Sequence, residues 1–144
     1  MQYKKFFTLD GNSSILSLPF CHFGHTDPVA FGLNSAALWT VGHYHAKKFG
    51  CAHLSTVFGL GCVLATALAL KDVSGNHKQV IAGSTAGTTA LITYNIFANP
   101  AWFKFARLPP LAWLGALAYY GGMYEDKAAV GGIAGGYLAF MLAL

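Results

Sequence analysis

The sequence predicts an all-α membrane protein, a bundle of about five transmembrane helices. Of its 144 residues, 55% are hydrophobic and only 10% are charged, and the mean hydropathy is +0.48. These values are typical of a chain whose outer surface faces lipid. The 17 glycines suit close packing of helices in a bilayer. Helix is the expected state because an open sheet would leave main-chain groups unpaired in lipid.

Five apolar runs predict the five helices, roughly residues 29–42, 51–70, 80–98, 108–123 and 128–144. A bilayer core needs about 20 helical residues, with a lower limit of roughly 17, so the second and third runs are long enough and the others are marginal. Short polar separators, residues 43–48 among them, read as loops, and consecutive helices are therefore expected to be antiparallel neighbours. Residues 1–27 are expected to form an irregular segment at the membrane surface, and residues 28–144 the transmembrane domain.

The basic residues favour a lipid partner. The net charge is +4, but the cations are scattered and most lie at the ends of the apolar runs, which argues against a nucleic-acid partner. By the five-span topology four of them project from one face with no acid beside them: Lys47, Lys48, Lys104 and Arg107. Such a cluster attracts anionic head groups, and cardiolipin is the expected lipid if the membrane is mitochondrial. Simple anchoring at the interface is the alternative.

Glycines recur at helical spacing in the third and fifth runs. Three pairs stand four residues apart: Gly83 with Gly87, Gly131 with Gly135, and Gly132 with Gly136. Small residues at this spacing line one stripe of a helix and let two backbones approach closely. We therefore expect the third and fifth runs to cross at Gly83, Gly87, Gly132 and Gly136. Packing alone would account for the pattern.

A series of short motifs carries a resemblance that covers most of the chain, from about residue 18 to residue 144. The motifs are, in order, Phe20-Cys21-His22; Asn34 followed by Leu38-Trp39; Gly42 and Gly50; Phe58 and Gly61; Gly83-Ser84-Thr85-Ala86; and Ala129-Val130-Gly131-Gly132. Their order resembles the rhomboid family of intramembrane serine proteases, the mitochondrial presenilin-associated rhomboids in particular. The family's first helix has no counterpart, so the resemblance implies a truncated rhomboid-like bundle.

The departures from that family concern its chemistry. Thr85 stands where the family has its nucleophilic serine, or Ala86 does if the register shifts by one residue. Ala129 stands at the position of the histidine base and Ala30 at that of the oxyanion histidine, while Asn34 keeps the oxyanion asparagine. A hydroxyl without a base is a poor nucleophile. The resemblance therefore implies a pseudoprotease, and we expect no enzymatic activity.

The remaining polar residues suggest no cofactor. The three cysteines form no CxxC pair, so neither a disulfide framework nor a zinc site is expected. Hydroxyls in the third run are expected to bond back to helix carbonyls or across to a neighbouring helix; a polar cavity is the alternative. Six histidines are interpreted as interfacial and not as haem or metal ligands: His22, His25, His43, His45, His53 and His77.

These observations favour a structural role. We expect a non-catalytic accessory subunit of a mitochondrial inner-membrane complex, such as a respiratory-chain complex or ATP synthase, with lipids and other membrane subunits as partners. The mitochondrial location follows from the resemblance. Two other classes stay open: a rhomboid-like client-binding factor in membrane quality control, and a membrane anchor that binds haem or quinone in an electron-transfer complex.

Overall fold

The computed structural model describes residues 28–73, 84–101 and 126–144, and within these ranges the chain is helical and contains no strand. Its elements are α1 (Pro28–Ala37), a π-helical turn (Leu38–Gly42), α2 (His43–Phe49), α3 (Cys51–Val73), α4 (Thr85–Ala98) and α5 (Asp126–Met141). The N-terminal segment 1–27, the fourth apolar run, Gly83, Lys104 and Arg107 lie outside the described residues.

The first helix is longer than its apolar run. α1, the π-turn and α2 follow one another without a break, so the prediction of a loop over residues 43–48 is wrong. The helix ends at Gly50, whose φ of +93° suits a residue without a Cβ. The Gly50 amide donates to the Ala46 carbonyl at 2.9 Å. Gly50 is thus the corner at which the chain turns from α2 into α3.

Glycine contacts give the directions of the last three helices. On α5, Gly132 faces Ala86 of α4, and Gly136 faces Ala90 one turn further along both helices. α4 and α5 are therefore parallel. Against α3 the order is reversed, because Gly135 faces Gly61 whereas the earlier Gly131 faces Ala65. α3 therefore runs antiparallel to both α4 and α5.

The crossing of α4 and α5 relies on the glycines of α5. A Cβ at Gly132 would lie 2.5 Å from the Ala86 carbonyl oxygen, so the absence of a side chain is what permits the contact. Gly87 lies outside this crossing, because the Phe58 ring of α3 occupies the space where its Cβ would stand. α5 therefore uses Gly132 and Gly136 toward α4, and Gly131 and Gly135 toward α3.

Polarity increases toward the centre of the described bundle. Of the 14 residues of α4, 11 are buried, and five of these are polar: Thr85, Thr88, Thr89, Thr93 and Asn95. The helices around it expose large apolar side chains, including Val29, Phe31, Leu33, Trp39, Val63, Val130 and Met141. Within the described ranges one helical stretch, Cys51–Leu70, is long and apolar enough to cross a membrane by length and composition.

Candidate functional site

Two buried polar clusters join the first helix to α4. The first, which we call the amide–hydroxyl cluster, consists of Asn34, Thr85 and Thr88. The Asn34 amide nitrogen donates to Thr85 Oγ1 at 2.9 Å, and Thr88 Oγ1 donates to the Asn34 amide oxygen at 2.6 Å. The Thr88 hydroxyl also lies 3.0 Å from the Ser84 carbonyl oxygen. Both polar atoms of the buried Asn34 side chain are therefore paired, which offsets the cost of its burial.

The amide–hydroxyl cluster contains two of the four positions that the rhomboid resemblance singled out. Asn34 and Thr85 are in direct contact, whereas Ala30 and Ala129 contribute buried methyl groups. The partner described for Thr85 Oγ1 is an amide nitrogen, which cannot act as a general base. The hydrogen bonds of Asn34 with Thr85 and Thr88 hold α1 against α4.

The second cluster lies beside the Gly50 corner and joins three helices. This histidine cluster consists of His45 on α2, His53 on α3 and Asn95 on α4. His45 Nε2 lies 2.7 Å from His53 Nδ1, and the Asn95 amide nitrogen lies 2.8 Å from His45 Nδ1. The Phe49 ring stacks on His53 at 5.2 Å between centroids, and Tyr94 meets the His53 ring edge-on at 4.9 Å. The polar contacts thus lie inside an aromatic enclosure.

The direction of every hydrogen bond in the histidine cluster follows from one main-chain carbonyl. The Asn95 amide nitrogen is also 2.8 Å from the Leu91 carbonyl oxygen, which can only accept, so this atom must be the NH₂ group. His45 Nδ1 therefore accepts, and the proton of neutral His45 is on Nε2. That proton is donated to His53 Nδ1, which places the proton of neutral His53 on Nε2. His53 Nε2 is buried and has no hydrogen-bond partner among the described residues.

Burial keeps His45 uncharged. Its side chain has no exposed surface, and it lies beyond the first apolar run, next to the corner. Desolvation, reinforced by the neighbouring His53, lowers the pKa of His45 from its usual 6.5 to about 4. At neutral pH this histidine is therefore a neutral hydrogen-bonding group.

The sequence interpretation missed this cluster. His45 is buried between helices, and its two ring nitrogens are both engaged, which leaves neither for a metal. His43, two residues earlier, is exposed and stacks on Trp39 at 6.4 Å between ring centroids. The positions of the two histidines in the sequence could have indicated this contact. His45 and His53 lie on either side of Gly50, within a few residues of it, so a turn at Gly50 brings their rings together. Over the described ranges, no group of three or more metal-binding side chains occurs.

The described residues include two of the four predicted lipid-binding residues, Lys47 and Lys48. Lys47 and Lys48 lie exposed in the last turn of α2, and Lys48 Nζ lies 5.3 Å from the centre of the Phe49 ring, a cation–π distance. The other two predicted residues, Lys104 and Arg107, lie outside the described residues. Of the cysteines, Cys51 is exposed and Cys62 is buried, and neither forms a disulfide with a described residue.

Comparison of the chain with protein-family models, with curated proteins and with solved structures gives no match. The likeness to rhomboids therefore consists of the motifs in this sequence alone. The described part of the chain is defined as a helical bundle whose first helix is tied to a central polar helix by the amide–hydroxyl cluster and the histidine cluster.

Proposed function

We propose that this chain is an integral membrane protein that acts as a non-catalytic structural subunit of a larger membrane assembly. The observation that carries the proposal is the distribution of polarity. The threonine-rich helix α4 is almost wholly buried, while Trp39 on the first helix is 81% exposed and Val63 on α3 is 63% exposed. A water-facing bundle would place these groups the other way round. Lipid tolerates apolar side chains outside and satisfied polar groups inside.

The packing of the helices supports the same proposal. Lipid gives little hydrophobic driving force between helices, so close backbone contact and interhelical hydrogen bonds must replace it. α5 supplies the close contact through its glycines, and Asn34 supplies the hydrogen bonds to α4. The parallel α4 and α5 also fit the five-span, truncated rhomboid-like bundle that we propose for the whole chain.

The proposed absence of catalysis rests on the surroundings of Thr85. Its hydroxyl accepts a hydrogen bond from an asparagine amide. The position proposed for a histidine base carries the Ala129 methyl group, which is buried. Among the described residues, such a threonine has no proton acceptor of the kind that activates a nucleophile. The rhomboid-like packing would therefore serve as a scaffold.

For the location we propose the mitochondrial inner membrane, with a respiratory-chain complex or ATP synthase as the assembly. The support is the resemblance to mitochondrial rhomboids and the net charge of +4. Lys47, Lys48, Lys104 and Arg107 would hold an anionic phospholipid such as cardiolipin on one face. The partners of the chain would then be lipids and the neighbouring membrane subunits.

Purification of the tagged chain from mitochondrial membranes in a mild detergent tests this proposal. We expect the chain to resist extraction at alkaline pH and to migrate on a native gel in fixed stoichiometry with one large complex. A Gly132→Leu variant, which breaks the α4–α5 contact, should lose that migration, whereas Gly59→Leu, where a Cβ would meet open space, should keep it. Weak association with many unrelated membrane proteins would instead favour the client-binding class. Release by alkali would contradict a membrane protein altogether.

A haem or quinone anchor is the third class, and a visible absorption spectrum of the same preparation tests it. The engaged ring nitrogens of His45 speak against axial ligation by this residue. A haem band that tracks the chain through purification, and that disappears in a His53→Leu variant, would replace the structural proposal.

A further inference from the structure

The histidine cluster is the link that closes the Gly50 corner. Asn95 of α4 donates to His45 of α2, and His45 donates to His53 of α3. Every donor in this series points the same way, because the Leu91 carbonyl fixes the orientation of the Asn95 amide. The series therefore exists only while both imidazoles are neutral.

We propose that the histidine cluster is a proton-sensitive joint: a proton taken up by His45 or His53 breaks the hydrogen bonds that hold α2 against α3 and α4. A proton added to His45 would go to Nδ1 and face the NH₂ group of Asn95, donor against donor. A proton added to His53 would go to Nδ1 and face the Nε2–H of His45, again donor against donor. In both cases one 2.7–2.8 Å contact becomes repulsive.

The cluster has no simple way to relax around the added proton. Rotation of the Asn95 amide would offer its oxygen to His45, but it would turn the same oxygen toward the Leu91 carbonyl and lose the donor at 2.8 Å. Burial adds a second penalty, because a charged imidazole without a counter-ion is poorly tolerated away from water. Opening of the corner is therefore the available response.

No described side chain in contact with the histidine cluster supplies a negative charge to compensate for an imidazolium. The titratable and charged groups around His45 are Lys48 on α2, which lies over Phe49, His53 on α3, and Tyr94 on α4. The Tyr94 hydroxyl donates at 2.8 Å to an oxygen of Leu144, the last residue of the sequence; a terminal carboxylate there is bound by Tyr94 and by neither imidazole. None of the described side chains that contact either ring is a carboxylate. The described side chains in contact with the two rings are neutral, which leaves an added positive charge without a direct partner.

The other end of the same helix provides an internal reference. The amide–hydroxyl cluster ties α1 to α4 with one amide and two hydroxyls, none of which titrates in the physiological range. Acid should therefore loosen the α2 end and leave the α1 end in place. The exposed Lys47 and Lys48 lie on the part that is freed, so the joint would make their presentation at the membrane surface depend on the pH of that compartment.

The sign of the pH dependence follows from linkage. The pKa of His45 is depressed to about 4 in the closed joint, and an exposed imidazole titrates near 6.5. The stabilisation of the closed joint is fully present above the higher value and is lost as the pH falls toward the lower one. Between these two pH values, the equilibrium constant for opening should increase about tenfold for each unit by which the pH falls.

Hydrogen exchange of the full chain in lipid nanodiscs, corrected for the intrinsic pH dependence of exchange, measures this opening. From pH 7.5 to pH 5.0 we expect the amides of residues 44–50 to lose protection about tenfold per unit below about 6.5. The amides around Asn34 and Thr88 should keep theirs. A His45→Gln/His53→Asn double variant supplies non-titrating groups that can accept and donate along the same series, and it should abolish the effect. His43→Asn, at the exposed histidine two residues away, should leave it unchanged.

Nitrogen NMR of the wild-type chain, labelled at histidine, tests the joint without any substitution. At pH 7.5 we expect the proton of neutral His45 on Nε2, and Nδ1 of His53 to be the acceptor of that proton's hydrogen bond. A proton on Nδ1 of either ring would overturn the proposal. Loss of protection that is the same at both ends of the helix, or that persists in a folded double variant, would also overturn it.

Discussion

The side-chain amide of Asn34 lies 2.9 Å from Thr85 Oγ1 and so bridges two helices across 51 residues of sequence. Thr88 closes the bridge by donating to the oxygen of the same amide at 2.6 Å. The pair matters because the rhomboid resemblance placed these residues at oxyanion and nucleophile positions, yet in this chain they satisfy each other. Polar groups that would face a substrate in a protease here fasten one helix to the next.

Removal of the Asn34 amide should weaken the bundle by a modest amount. Asn34→Leu deletes two interhelical hydrogen bonds, but Thr88 can still bond back to the Ser84 carbonyl at 3.0 Å. Because interhelical hydrogen bonds in membranes contribute about 0.6 kcal/mol on average, we expect a loss of about 1 kcal/mol in the free energy of unfolding. Reversible unfolding in mixed micelles would measure it.

The matched control is Ser55→Ala, since the exposed Ser55 hydroxyl bonds only to the Cys51 carbonyl of its own helix in the described structure. This variant should be close to the wild type. An equal loss in Asn34→Leu and Ser55→Ala would show that the bridge contributes nothing of its own.

Proteolysis should be absent. The Thr85 hydroxyl faces an amide, and Ala129 has no group that could remove a proton. We expect no cleavage of model transmembrane substrates in liposomes and no labelling by serine-directed fluorophosphonates, whereas an active rhomboid assayed in parallel should give both. Cleavage by the wild type that disappears in a Thr85→Val variant would contradict the interpretation of the chain as a pseudoenzyme.

The α4–α5 crossing should not tolerate a side chain at Gly132. A leucine there would drive its Cβ to within 2.5 Å of the Ala86 carbonyl and toward Thr89, so the two backbones must separate. Overpacking of this kind costs about 1–3 kcal/mol or more, and we expect loss of the folded bundle in detergent. Gly59→Leu on α3 is the same substitution at a position where a Cβ meets nothing within 4 Å. The yield of monodisperse protein after gel filtration should separate the two variants, and equal behaviour would contradict the crossing.

Features that depend on local sequence could be predicted, whereas features that depend on contacts between distant residues could not. The spacing of glycines marked Gly132 and Gly136 as contact positions, because small residues at four-residue intervals have few other roles in an apolar run. It could not tell that Ala86 and Ala90, and not Gly87, would meet them, since the relative rotation of two helices depends on all of their contacts. Hydropathy placed α3 correctly for the same local reason: residues 51–70 are long and apolar.

The extension of the first helix to Phe49 was beyond local reasoning. The stretch from His43 to Lys48 is polar and reads as a loop by composition. It is helical in the structure, where His45 pairs with Asn95 and His53 on other helices. Polar residues that find partners inside a bundle resemble surface residues until the partner is known, because their pairing is determined by residues 50 positions away.

Retention of anionic lipid should depend on the basic face. Lys47 and Lys48 are exposed at the end of α2, and the proposed five-span topology would put Lys104 and Arg107 on the same face. Each cation near a membrane surface contributes about 1 kcal/mol to the attraction of anionic head groups. Replacement of all four by glutamine should therefore lower the amount of cardiolipin that mass spectrometry detects after detergent purification.

The control for that experiment neutralises lysines that the proposed topology puts on the opposite face. Lys71→Gln/Lys78→Gln removes two charges that lie near acidic residues in the sequence, and it should leave retained lipid nearly unchanged. Raising the salt concentration should weaken retention in the wild type toward the level of the fourfold variant, because exposed charges are screened. If the fourfold variant and the control retain equal amounts of lipid, the basic residues anchor the chain at the interface without holding a particular lipid.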